Sequence, residues 1–192
     1  MTRIRLTGIA AIGLVALALF GCQAKPMDMD QAMKPPPRPA ELDRLEKLVG
    51  VWVGDATMKM HGSPDFMTSH GVETVSWEAD GWVLISRFKY SMGDEDKMSG
   101  MGIWTWDPKA KKYRMWHFDS LGGSGVGTMT YDEEDDTWYF EGQGHNPYKG
   151  EKTVGEGWSK FTDANTQEWH WTEWGPWKLK KIMEGEGVSR RK

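Results

Sequence analysis

From Val51 onward the chain is a succession of short aromatic and β-branched runs, each closed by a cluster of Gly, Pro, Asp or Asn. Segment length alone excludes a helical bundle: no stretch in this region holds a 3.6-residue apolar period long enough for a globular helix. The clearest instance is Gly102–Ser120, GIWTWDPKAKKYRMWHFDS. Two tryptophan-bearing runs flank Asp107-Pro108, which initiates reversal, while Lys109, Lys111 and Lys112 keep the turn solvated. The same reading places strands near 51–60, 69–78, 82–91, 99–107, 112–119, 125–131, 137–142, 151–162, 166–174 and 177–186. Such a series predicts an all-β fold, an antiparallel up-and-down β-barrel of about ten strands, because closure removes the exposed edges. Before the first strand, Glu41–Leu48 reads as one short helix, with Leu42, Leu45 and Leu48 recurring every third residue.

The N-terminus reads as an address. Arg3 and Arg5 precede an uncharged apolar run, Leu6–Phe20, which ends at Gly21-Cys22. The run has signal-peptide length and falls short of the about 20 residues that a spanning helix needs. It resembles a bacterial lipoprotein signal, in which a small residue precedes the cysteine that is acylated. Cys22 is the only cysteine, so no intramolecular disulfide forms. The expected organisation is a signal peptide over 1–21, acylated Cys22 with a Pro-rich tether over 22–40, and the barrel over 41–192. Gln23, where Asp would signal inner-membrane retention, points to the outer membrane, on its periplasmic face. Five of the nine prolines fall in the tether, which at about 3.1 Å per residue could hold a domain up to about 50 Å from a membrane. Met27, Met29 and Met33 alternate there with Asp28 and Asp30. Without His or a free Cys beside them they read as linker rather than as a copper site.

Charge excludes one partner class. The formal net charge is −4, and loss of Arg3 and Arg5 would make it more negative, so nucleic acid is not an expected partner. A lipid-facing barrel would need an apolar outward band on every strand. Glu73, Lys89, Arg114, Lys160 and Lys178 interrupt the expected strands and argue against one.

The order of several motifs is similar to a known family. Gly50-Val51-Trp52-Val53-Gly54 opens the first strand after the Leu-rich helix. Then come Gly102-Ile103-Trp104, Asp107-Pro108, Lys112-Tyr113, Trp116-His117-Phe118-Asp119-Ser120 and Gly127-Thr128-Met129-Thr130-Tyr131-Asp132. This pattern over 42–186 resembles the bacterial family catalogued as domain of unknown function 1579. That family is similar to calycin-type barrels, the group holding lipocalins, fatty-acid-binding proteins and nitrobindin-like haem proteins. The resemblance implies a calycin-like barrel and, more distantly, haem. Ala56 stands where nitrobindin-like openings carry a third glycine, and no haem-ligating histidine aligns.

Chemistry-bearing residues are few. Gly122–Gly127 is glycine-rich but no helix follows, so neither a nucleophile elbow nor a phosphate cradle is expected. The acidic run Asp132–Asp136 lacks EF-hand spacing and reads as a solvated hairpin tip. No catalytic residue is assigned, and an enzyme is the less favoured reading. His117 shares a strand face with Tyr113, Met115 and Asp119; Trp116 and Phe118 occupy the other. His170 lies between Trp169 and Trp171. Gly54 and Ala56 beside Met58 and Met60 would leave room in a barrel. Trp52, Tyr113, Trp116, His117 and His170 are therefore the candidate contacts for a small hydrophobic ligand, with Trp52 at the barrel base. Two alternatives stand beside ligand binding: a haem or redox barrel using His117 or His170, and a structural or interaction lipoprotein with a filled core. Period two alone leaves open which face of the 112–119 strand looks inward, and the sequence does not fix the oligomeric state.

Overall fold

The computed structural model describes residues 29–92, 95–146 and 150–192. The signal peptide, Cys22, Met27 and the Gly93-Asp94 turn lie outside the described residues. Up to Pro36 the described chain holds one helical turn, Met29–Ala32. Pro37–Lys192 forms a separate compact unit.

That unit is a closed antiparallel barrel in which each strand pairs with its neighbours in sequence and the last pairs with the first. The strands are β1 Gly50–Met60, β2 Met67–Glu78, β3 Val83–Met92, β4 Glu95–Asp107, β5 Lys112–Asp119, β6 Ser124–Asp132, β7 Thr137–His145, β8 Lys152–Asp163, β9 Thr166–Trp174 and β10 Lys181–Arg191. All ten expected strands form. The β4–β5 turn is built as its sequence implies: Asp107 Oδ1 accepts the backbone N–H groups of Lys109 and Ala110, both at 3.0 Å. The last strand departs most from expectation. Gly175-Pro176 leads into a 3₁₀ turn in which Trp177 and Lys178 adopt φ of 61° and 54°. β10 therefore starts only at Lys181. It runs on to Arg191 because closing the barrel requires it to pair along β1 as far as Trp52.

The leading helix is a 3₁₀ helix, Ala40–Leu48. Its leucine spacing explains the form: with three residues per turn, positions i and i+3 eclipse and present one face. Leu42 and Leu45 on that face are fully buried. The helix plugs one end of the barrel over a core of Trp52, Val75, Leu84, Tyr113, Met129, Trp138 and Phe161. Three contacts tie it down. The Tyr113 hydroxyl donates to Glu41 O at 2.6 Å. Lys47 Nζ reaches Asp136 at 2.9 Å. The Arg191 guanidinium lies 4.3 Å over the Trp52 ring and donates to Lys47 O at 2.8 Å and to Val49 O.

The other half of the barrel is built differently. Cross-strand pairing places Gly54, Gly71, Gly100, Gly102, Gly125, Gly127, Gly142, Gly144, Gly155, Gly157, Gly185 and Gly187 on the inner face. Aromatic rings from adjacent strands lie over several of them. A Cβ at Gly71 would fall 2.3 Å from the Tyr90 ring, and one at Gly155 1.8 Å from Trp171. The rings take the space that side chains would have filled, which lets wide residues line a narrow barrel.

Two of the charges that the sequence reading set against a lipid-facing barrel are placed otherwise. Glu73 pairs with Trp52 and Phe88 and points inward, and Lys178 sits in the β9–β10 connection rather than on a strand. Lys89, Arg114 and Lys160 do face outward. Among the described residues no helix is long and apolar enough to cross a membrane.

Candidate functional site

Register settles which face of β5 is interior. Trp104 pairs with Met115 and Trp106 with Tyr113, and both tryptophans face the core. Tyr113, Met115, His117 and Asp119 therefore point inward, and Trp116 and Phe118 outward. His117 sits between Gly102 and Gly125. Its ring stacks on Phe88 at 5.4 Å, and Nε2 lies 3.3 Å from Asp119 Oδ2. Asp119 is itself fixed, because its Oδ1 accepts the N–H groups of Leu121 and Gly123 in the β5–β6 turn.

The other candidates are dispersed. Trp52 is in the packed end, 3% exposed, its indole N–H donating to Leu48 O at 2.8 Å. Tyr113 is 2% exposed and packs edge-on against Trp106 and Trp138. Tyr113 is closed off by the helix plug, whose Glu41 O accepts from its hydroxyl. Trp116 lies on the outer wall. So does His170, because Trp169 and Trp171 on the same strand turn inward to cover Gly187 and Gly155; it stacks on outward-facing Trp158 at 6.2 Å. Of the five, His117 lies on the inner wall of the open half, and Trp52 touches that half only at its floor. Of the two histidines that the haem reading named, His170 is on the outer face, and His117 is on the inner face with its ring stacked on Phe88 and its Nε2 turned to Asp119.

The sequence reading missed an interior carboxylate. Glu73, one inward position from the buried core residue Val75, accepts a hydrogen bond from the Ser86 hydroxyl. Burial pushes its pKa above the ordinary 4.5, partly offset by Ser86. Burial, and then the Glu73 charge, push the Tyr90 phenol up as well, so it stays protonated as a donor. With Trp52, Gly54, Ala56, Gly71, Trp169 and Ser189, these two residues border an interior pocket of about 10 Å³, room for about one water molecule. The available signal was a charge in phase with Ser69, Gly71 and Val75 on an alternating strand. A raised carboxyl pKa means the folded state favours the protonated form. Its contribution to stability is complete below 4.5 and is lost as the pH rises through the folded value. Glu73→Gln should therefore be more stable than wild type at pH 7, by about 1–3 kcal/mol, with the gain vanishing towards pH 4. Thermal melts at the two pH values check this; equal gains at both would refute it.

Two grooves of about 750 and 500 Å³ lie on the outer wall and share Trp158. They are lined mainly by outward-facing polar residues such as Asp55, His70, Glu168 and Thr128. The rim away from the helix carries exposed apolar side chains on separate loops: Phe66 at 63%, Trp177 at 87% and Leu179 at 85%.

The class is that of closed, antiparallel up-and-down barrels of ten strands, here plugged at one end and lined with glycine and aromatic residues at the other. The chain belongs to the family described as "Protein of unknown function (DUF1579)", whose model matches residues 39–186. No curated protein sequence matches it significantly. Among solved structures it is similar to Rv2717c from M. tuberculosis, with a TM-score of 0.61 and 12% identity, over 81% of this chain and 99% of that one. It is also similar to the S-type phycobiliprotein lyase CPES from Guillardia theta, with a TM-score of 0.55 and 11% identity, over 81% and 94% of the two chains. At such identities the likeness is one of fold.

Proposed function

We propose that the barrel binds a small, largely apolar ligand in its open half. The observation that carries this reading is accessibility on the inner face. His117 points inward, yet its side chain is 42% exposed, and Trp169, Trp171 and Tyr90 are likewise partly accessible. An inward side chain in a closed barrel meets solvent only where the interior is open. In the plugged half the inward residues Leu84, Tyr113 and Trp138 are 0–2% exposed. A partly hollow, aromatic-lined space with a few fixed polar groups is the usual form of a small-molecule site. The apolar rim loops suit entry of such a ligand from that end.

The test is native mass spectrometry of the protein purified from its own source, together with titration by the uncharged fluorophore diphenylhexatriene. A bound mass and a saturable rise in fluorescence are expected. Absence of both would leave the filled, structural barrel as the better reading.

The N-terminal sequence supports the further proposal that the protein is a lipoprotein of the bacterial envelope, with the barrel from residue 41 tethered to the periplasmic face of the outer membrane through acylated Cys22. One acyl chain binds a membrane only marginally, so stable anchoring needs more than one. Cys22→Ser is expected to move the protein from the membrane to the soluble fraction. Retention of the variant in the membrane fraction would refute the anchor.

A further inference from the structure

The charges on the inner wall are one-sided. In the open half the described inner face carries the carboxyl groups of Glu73, Asp119 and Glu173 and no Lys or Arg. Arg191, which does face inward, is at the plugged end and is held by Trp52 and two backbone carbonyls. Glu73 lies at the floor of the open half, where that half meets the packed core. Among the described residues only Ser86 donates to it, so a carboxyl group with two acceptor oxygens keeps accepting capacity. Tyr90 and Trp169 line the same small pocket.

A group entering that pocket meets the Glu73 carboxyl group, with accepting capacity left, and the side chains of Tyr90 and Trp169. A carboxylate or phosphate ligand would find no cation to pair with there and would push the Glu73 carboxyl group further towards its neutral form. An ammonium favours the ionised form of Glu73 and then gains a charge-assisted hydrogen bond to it, with the attraction of an aromatic side chain beside it. Its size also suits a pocket of about 10 Å³. Resting on the ligand reading above, we propose that the interior selects cationic amphiphiles, seating an ammonium or protonated N–H group on Glu73 and Tyr90 with the apolar body lying among Trp169, Trp171 and Phe88.

The experiment displaces diphenylhexatriene from the full-length protein with decylamine, decanol and decanoate at pH 7, each below its micelle-forming concentration. Decylamine should act at a concentration about 10-fold or more below that of decanoate, the scale of one charge-assisted contact. In Glu73→Gln that gap should close through a loss of amine affinity. Tyr90→Phe, which keeps the ring, should narrow the gap in part and guards against a folding artefact at Glu73. Equal displacement by amine and acid in wild type, or an undiminished amine preference in Glu73→Gln, overturns the inference and leaves ligand binding intact. Failure of diphenylhexatriene to bind wild type, with no bound mass in the native spectrum, overturns ligand binding and this inference together.

Discussion

Trp52→Ala is expected to destabilise the barrel by about 3–5 kcal/mol. The indole sits where three elements meet. Its ring packs edge-on against Phe161 at 5.9 Å, the Arg191 guanidinium covers its other side at 4.3 Å, and its N–H satisfies Leu48 O at the end of the helix. Truncation opens a cavity, leaves that carbonyl short of a donor and removes the surface on which Arg191 rests. For a domain of this size each 1 kcal/mol shifts the melting temperature by about 2–4 °C, so a drop of roughly 6–20 °C should follow. Trp177→Ala, which deletes an 87% exposed indole, should change stability by no more than about 0.5 kcal/mol. Similar losses for the two variants would refute the assignment of Trp52 to the packed end.

Gly157→Val is expected to cost at least about 3 kcal/mol, at the upper end of overpacking penalties. A Cβ there would stand 2.2 Å from the His170 carbonyl oxygen and 2.6 Å from the Phe140 ring. A ring can turn aside. The carbonyl belongs to the β8–β9 ladder and cannot move without breaking its pairing. Gly125→Ala is the matched control on the same inner face. The nearest atoms to its Cβ are backbone ones, Gln143 O at 3.2 Å, Gly144 Cα at 3.8 Å and Gln143 C at 3.9 Å. It should cost under about 1 kcal/mol. Urea denaturation of both variants measures the difference, and equal midpoints would contradict the view that rings cover one set of glycines and leave the other facing open space.

These two positions also mark where the sequence was legible. Strand number, hairpin order and the helix before β1 rest on local chemistry: turn residues that reverse the chain, β-branched and aromatic residues that suit a pleated surface, and leucines spaced for one helical face. The Asp107-Pro108 hairpin reads from its own residues because its hydrogen bonds are local. The end of β10 did not read so. Gly187–Lys192 has no strong pattern, and its pairing along β1 is fixed by closure across the whole barrel. The inner-face glycines were visible singly at Gly54 only, since their alignment depends on the register of ten strands at once.

The two histidines show the division most sharply. Trp116-His117-Phe118 and Trp169-His170-Trp171 are nearly the same local pattern, an imidazole between aromatic rings on a strand. Period two says which residues share a face and is silent on which face is inside. On β5 the inward choice falls to Tyr113, Met115 and His117, because the Tyr113 hydroxyl meets the helix plug and Trp104 and Trp106 fill the core across from it. On β9 it falls to the tryptophans, which cover the glycines of β8 and β10, and His170 is left outside. Glu73 follows the same rule in reverse, a charge expected on the surface and carried inside by register. Local residues determined that this chain makes ten strands and a plugging helix. Only closure of the barrel, which couples every register to every other, decided which side chains face the space where a ligand would lie.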